Sequence, residues 1–184
     1  MSEFETDVKK LDGCINTFTR KKVNLLDPSP EQIDIQDIAK GLAYKAHFSG
    51  QTPFYFSIAQ HSCLVCDLIP RQYTEANPII LMEALLHDGS EAYIGDMVKP
   101  LKVHLPDFQR IETKLQQVVF EAFGLTGEYK KFIKTYDIQS QNIEYQCFYR
   151  DSDFNLKPLS PDESYFEFLR RYEIYKKLIE KWQK

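Results

Sequence analysis

A chain of 184 residues encloses one hydrophobic core and is too short for two full-sized domains. Apolar residues make up 43% and charged residues 27%, which excludes a chain dominated by disorder. The net charge of -4, with scattered Lys and Arg, disfavours a long nucleic-acid partner, although a local site can still hold a small anion.

Residues 1–13 read as a polar arm without the basic-then-apolar order of a secretory signal, and no stretch reaches the ~18 apolar residues of a membrane span. The expected location is the cytoplasm, with no membrane partner. The segment NTFTRKKVNLLDPSP (16–30) alternates enough for a short extended ribbon before its Asp-Pro and Ser-Pro turn signals. From Glu31 onward helix dominates: Ile35, Ile38, Leu42 and Ala46 share a face, and FSGQTP (48–53) ends the helix. A second helix carries Ile58, His61, Val65 and Leu68 at spacings of three and four and ends at Pro70, so His61 points with the apolar side chains. A third starts at Asn77-Pro78 and runs through Ile80, Leu81, Ala84 and Leu85 to His87 and Asp88. Gly and Pro make GDMVKPLKVHLPD (95–107) a loop.

The stretch DFQRIETKLQQVVFEAFGL is an amphipathic helix through Ile111, Leu115, Val118 and Phe123, closed by Gly124. The next helix, about 128–150, carries an inward stripe of Ile133, Asp137, Ser140, Glu144 and Cys147, which puts two acids on an apolar face. A last helix over about 161–183 opens with Pro161, Asp162 and Glu163. It presents Tyr165, Phe168, Leu169, Tyr172, Tyr175, Leu178, Ile179 and Trp182, a face suited to core or to a dimer surface. The expected architecture is a single all-α domain over 1–184, an irregular helical bundle with a short N-terminal β ribbon.

Four cysteines, Cys14, Cys63, Cys66 and Cys147, are too few and too irregular for a disulfide framework. Cys63 and Cys66 form a C-x-x-C inside an apolar helical pattern, where small core residues are favoured over a zinc or redox role.

Buried carboxylates and imidazoles are costly unless paired, hydrogen bonded or bound to a metal. His61, His87, Asp88 and Asp137 are such residues, and two imidazoles with two carboxylates suit a borderline divalent cation with waters completing its shell. Each also has a plainer explanation. His61 can be a hydrogen-bonded core residue, and His-Asp pairs occur by chance. Asp137 can cap a turn or pair with a lysine, with Glu144 as its hydrogen-bonded companion. Glu91 can be a solvated first-turn helix acid, and Asp96 after Gly95 a turn residue.

Together, the order and spacing resemble the HD-domain phosphohydrolases. SIAQHSCLV resembles that family's first metal histidine, ALLHDGSEAYIGDMVKPLK its central His-Asp segment, and FIKTYDIQSQNIEYQ the helix bearing its last aspartate, with the acid seven residues on matched by Glu144. The resemblance spans about 17–150 and is closest to small bacterial and phage members, among them 5'-deoxynucleotidases and deoxynucleoside triphosphate triphosphohydrolases. It implies an HD-domain helical bundle with an HD core over that span, and one divalent metal ion on His61, His87, Asp88 and Asp137, with Co, Mn, Zn, Fe, Ni and Mg not distinguished.

The same resemblance implies Glu91 as the residue handling the attacking water or the leaving oxygen, and Asp96 near the substrate. Where relatives present arginine and an aromatic residue before the first metal histidine, this chain has His47 and Phe48. His47 lacks the forked donors of arginine, and Lys99 and Lys102 are the replacements the loop offers. His104 has no matching role. The implied activity is release of phosphate from deoxynucleoside 5'-monophosphates, with removal of triphosphate from a deoxynucleoside triphosphate as the rival. A nucleotide-binding module without turnover and a helical interaction protein are readings from other classes. The expected partner is a small nucleotide, and a homodimer is the expected assembly.

Overall fold

The computed structural model describes residues 13–150 and 155–184. The polar arm expected over 1–13 lies, apart from Gly13, outside the described residues. Strand β1 (Cys14–Asn16) pairs antiparallel with β2 (Lys22–Asn24), with Ile15 opposite Val23. The paired part of the ribbon therefore starts and stops earlier than the alternation over 16–30 indicated. Two hydrogen bonds of 2.7 Å, from the Thr19 backbone N–H and hydroxyl to the Asp37 carboxylate, tie the ribbon to the first helix.

Nine α-helices follow among the described residues, so the architecture is the expected all-α bundle with a short N-terminal ribbon. Helix α1 (Ile35–Ala43) starts where the Asp34 side chain accepts from the Gln36 N–H at 3.0 Å, and it buries Ile38, Ala39, Leu42 and Ala43. It ends before Ala46, which instead bridges backbone to backbone with Ser57. Helix α2 (Ile58–Leu68) is capped by Ser57 and buried along most of its length. Helix α3 (Arg71–Ala76) was not expected from the sequence: it buries no side chain, so no apolar period marks it.

Helix α4 (Ile79–Leu85) begins at Asn77-Pro78 as expected, with the Asn77 side chain accepting from the Ile79 N–H at 3.0 Å. It stops at Leu85, so His87 and Asp88 stand in the turn beyond it and not on its last turn. The single-turn helices α5 (Glu91–Ile94) and α6 (Lys99–Lys102) come next, and the latter interrupts the loop expected over 95–107. Pro100 sits in the first turn of α6, where its missing N–H has no helical partner to lose.

The three long helices match their apolar periods. Helix α7 (Pro106–Ala122) buries Leu115, Val118, Val119 and Phe120, and Gly124 takes a left-handed φ of 67° just past its end. Helix α8 (Lys130–Tyr149) buries Ile133, Asp137, Ser140 and Glu144 as expected, with Phe148 closing the stripe in place of half-buried Cys147. Helix α9 (Pro161–Trp182) opens with a capping box between Ser160 and Glu163. Its aromatic face divides: Phe168 and Tyr175 are buried, whereas Leu178 and Trp182 are exposed.

Helix α9 packs across α1, α4 and α2, and α2 packs on α8. This leaves α2, the turn after α4, and α8 converging on one side of the core. No helix among the described residues is long and apolar enough to cross a membrane.

Candidate metal centre

The Ser57 cap fixes the start of α2, and one turn later the fully buried His61 points toward α8. Residues 137, 140 and 144 lie three and four apart, so Asp137, Ser140 and Glu144 form one stripe facing that imidazole. His61 Nδ1 lies 2.7 Å from Glu144 Oε1, and Nε2 lies 3.1 Å from Asp137 Oδ1. Ser140 Oγ donates to the same Glu144 oxygen at 2.7 Å. Glu144 is thus the partner of His61 and not the companion of Asp137, which is held by Lys134 and by Gln141 Nε2 at 2.8 Å.

The turn after α4 delivers the second pair. Gly89 presses it against α7, where a Cβ would stand 2.8 Å from Val119 Cγ1. Gln116 of α7 secures it by accepting from the Ser90 N–H at 2.9 Å and donating to the Leu86 carbonyl at 2.8 Å. His87 Nδ1 donates to the Ala84 carbonyl at 2.8 Å, which fixes the ring and turns Nε2 toward Asp88 Oδ2 at 3.1 Å and Asp137 Oδ1 at 3.8 Å. His61 Nε2 is 3.7 Å from the same Asp88 oxygen.

His61, His87 and Asp88 form a compact group that could hold a metal ion, with Asp137 beside the two histidines. The histidine–carboxylate distances of 3.1 to 3.8 Å compare with the ~3.0–3.4 Å between ligands bonded at about 2.1 Å to one ion. His87 Nε2 is buried without a well-formed hydrogen bond among the described residues and has the Asp88 and Asp137 carboxylates as its polar neighbours, a setting that could hold a cation. Both histidines have their other nitrogen engaged, by a carboxylate for His61 and by a carbonyl for His87, the arrangement that orients imidazoles toward a metal.

The charges agree. Burial opposes protonation of His61, but Glu144, Asp137 and Asp88 overcome it and hold the pKa well above the usual histidine value. Burial likewise opposes charge on His87, yet Asp88 beside it raises the pKa to about 9. Asp88 is lowered to about 2, because His87 outweighs its burial. Asp137 and Glu144 lie well below the usual carboxylate range, burial being outweighed by the two histidines for the first and by His61 and His47 for the second. The cluster is built to concentrate positive charge, as protons or as a metal ion.

A second donor group, His47, His61 and Glu144, lies on the other edge of the His61 ring. There the 2.7 Å contact between His61 Nδ1 and Glu144 leaves no space for an ion between them, so the Nε2 side is the one with room. His47 serves as a wall: its Nδ1 lies 3.1 Å from Glu144 Oε2, its Nε2 4.0 Å from Asp96 Oδ2, and its ring centroid 4.5 Å from that of His61. The turn that presents it is strained, with Phe48 and Ser49 both at a left-handed φ of 52°.

A cavity of about 490 Å3 opens beside the donors, and His47, Phe48, Glu91, Asp96, Lys99 and Lys102 all line it. Glu91 is 6% exposed, so it is no solvated helix acid. Burial, with Asp88 and Asp96 nearby, pushes its carboxyl well above the usual range. Lys102 is engaged with Glu112 at 2.6 Å and stands 4.0 Å from Glu91, whereas Lys99 is exposed at the rim.

Sequence reasoning missed Lys134, which lines this cavity beside Asp137 and could have been found one helical turn before it. It also missed Lys45, whose Nζ donates to the Glu91 and Ala92 carbonyls and so braces α5. His104 is exposed and outside the site. Cys63 and Cys66 are buried core thiols, and burial pushes Cys63 up to about 12.

No family model matches the chain. The uncharacterized protein RCAP_rcc00048 of Rhodobacter capsulatus is 38% identical over 135 residues, covering 67% of this chain and 67% of that protein. The uncharacterized protein YfdR of Escherichia coli (strain K12) is 31% identical over 172 residues, covering 86% of this chain and 93% of YfdR. On that identity over nearly the whole of both chains, this protein belongs to the same family as YfdR.

Proposed function

We propose that the chain is a divalent-metal-dependent phosphohydrolase acting on nucleotides, with deoxynucleoside 5'-monophosphates as its first substrate class. The observation that carries this reading is the buried His87 Nε2, without a well-formed hydrogen bond among the described residues, beside Asp88, Asp137 and His61 at the edge of a cavity that also holds buried Glu91. His61, His87, Asp88 and Asp137 are the residues that would hold the cation. When bound, a divalent ion supplies Lewis acidity toward a phosphoryl oxygen.

The remaining work belongs to the chain's own side chains. Burial, with Asp88 and Asp96 nearby, raises the proton affinity of the Glu91 carboxylate, which suits it to take a proton from water. As the water oxygen bonds to phosphorus and the ester P–O bond breaks, one water proton passes to a Glu91 carboxylate oxygen and the leaving oxygen takes a proton from solvent. Asp96 and His47 wall the water side, and Lys99, Lys102 and Lys134 supply positive charge to the phosphoryl oxygens.

The same three lysines in about 490 Å3 favour a second reading, in which more than one phosphate enters and triphosphate is released from a deoxynucleoside triphosphate. Phosphorus NMR of the products separates the two. Orthophosphate from dAMP supports the first reading and tripolyphosphate from dATP the second. Neither product from Co- or Mn-loaded protein leaves a nucleotide-binding module without turnover.

A further inference from the structure

The metal donors stand in a partition between two cavities. Asp88, Lys134 and Asp137 line both; Glu91, Asp96 and His47 line only the first, and His87 only the second. The second cavity, of about 600 Å3, lies between α7, the chain after it and α8. Its size falls in the roughly 300–1,000 Å3 range of small-ligand sites.

Its lining differs from that of the first. Phe120, Leu125 and Ile133 make an apolar floor, each at most 8% exposed, and Thr113, Gln117 and Thr126 form a polar rim. Gly127 lets the chain close down on that floor: it has a left-handed φ of 73°, and a Cβ there would stand 3.0 Å from Phe120 Cδ2. Gln116 is already committed at both ends to the His87–Asp88 turn. Gln117 has its amide on neighbouring Glu121 at the surface.

Displacement at phosphorus is in line, with the entering and leaving oxygens on opposite sides. Glu91 reaches only the first cavity, so water activated there enters from that side and the leaving oxygen faces the other. We infer that the second cavity binds the leaving nucleoside, with the base on the Phe120–Leu125–Ile133 floor and its hydrogen-bonding edge toward Thr113, Gln117 and Thr126. An apolar floor with a hydroxyl and amide rim suits a flat heterocycle, and the further charged residues of this cavity, Glu121 and Lys130, are exposed, whereas the first cavity has Glu91 buried in its wall and would desolvate that charge beneath a base. Phe48 then borders the water side and is not the base platform. This assignment rests on the phosphohydrolase reading for its direction.

The test compares Thr113→Trp and Thr126→Trp, both at exposed rim positions of the second cavity, with Ile138→Trp, an exposed position on the first. Two measurements are made: the ratio of kcat/KM for dAMP to that for methyl phosphate with Mn-loaded protein, and amide shifts of 15N-labelled protein titrated with dAMP in Mg2+. The rim variants should lower the ratio about ten-fold through KM, with shifts in the wild type centred on Thr113, Gln117 and Thr126. A larger loss with Ile138→Trp, shifts centred on Met97 and Ile138, or no shifts on either side would overturn the inference. Shifts at the second cavity without phosphate release would leave the nucleoside site standing and remove the hydrolase reading. Phosphate release with shifts on the Phe48 side would do the reverse.

Discussion

Glu144 grips His61 from behind: its Oε1 lies 2.7 Å from Nδ1, while Nε2 on the far edge of the ring faces Asp137 at 3.1 Å. Both members are fully buried, so the imidazole has one orientation, set by a residue 83 positions away in the chain. Glu144→Gln keeps an acceptor of the same shape and removes the charge. Metal affinity should fall about 10- to 100-fold, with the helical circular dichroism retained. Competition against a chelating dye measures it, and an unchanged affinity would mean that Glu144 serves packing alone.

Among the described residues lining the cavity beside the donors, Glu91 is the buried carboxylate outside the four candidate ligands. Glu91→Gln should bind metal as well as the wild type and lose about a hundred-fold to ten-thousand-fold in turnover. A rate unchanged by the substitution would remove Glu91 from the reaction, and lost metal would reassign it as a ligand.

Metal removal offers a check that needs no substrate. The four donors predict about one equivalent of divalent metal per chain, lost in His87→Ala. Chelation should lower the melting temperature, because a ligand at 100 times its Kd stabilises the native state by about 2.7 kcal/mol. Elemental analysis with thermal melts reads both. Negligible metal and no gain on reconstitution would favour a helical interaction protein over a metalloenzyme.

The long helices were legible because their apolar stripes persist through several turns: Leu115, Val118 and Phe168 repeat where burial requires them. Helices α3 and α6 were not, since neither buries a side chain and both depend on their neighbours. The end of α4 was misplaced for a long-range reason. Gln116 of α7 stabilises the turn at Leu86 and Ser90, and nothing near His87 announces that partner. His61, His87, Asp88 and Asp137 stand out as candidates by residue type and spacing, but their further contacts do not. By sequence alone Glu144 can be a companion of Asp137 on the same helix, because the pairing to His61 crosses between α8 and α2. Lys134 is legible from helical spacing alone, three residues before Asp137 on the same helix.

Away from the site, Arg171 bolts α9 to α2. Its Nη1 and Nη2 donate to the two Asp67 carboxylate oxygens at 2.5 and 2.9 Å, its Nε donates to Glu167 at 2.7 Å, and Nη1 also reaches the Cys63 carbonyl at 3.3 Å. Hydrogen bonding from Arg170 first, and from Arg171 against the opposing effect of burial, lowers Glu167 to about 2. A carboxyl held below its ordinary 4.5 stabilises the fold above that pH, and the contribution disappears as pH falls toward about 2. Arg171→Met, which keeps the aliphatic packing, should cost about 2 kcal/mol at pH 7 and distinctly less at pH 3, where Glu167 begins to protonate in the folded protein and does so more fully in the unfolded chain. Urea denaturation at the two pH values measures this, and an equal cost at both would show that the Glu167 charge contributes nothing to the clamp.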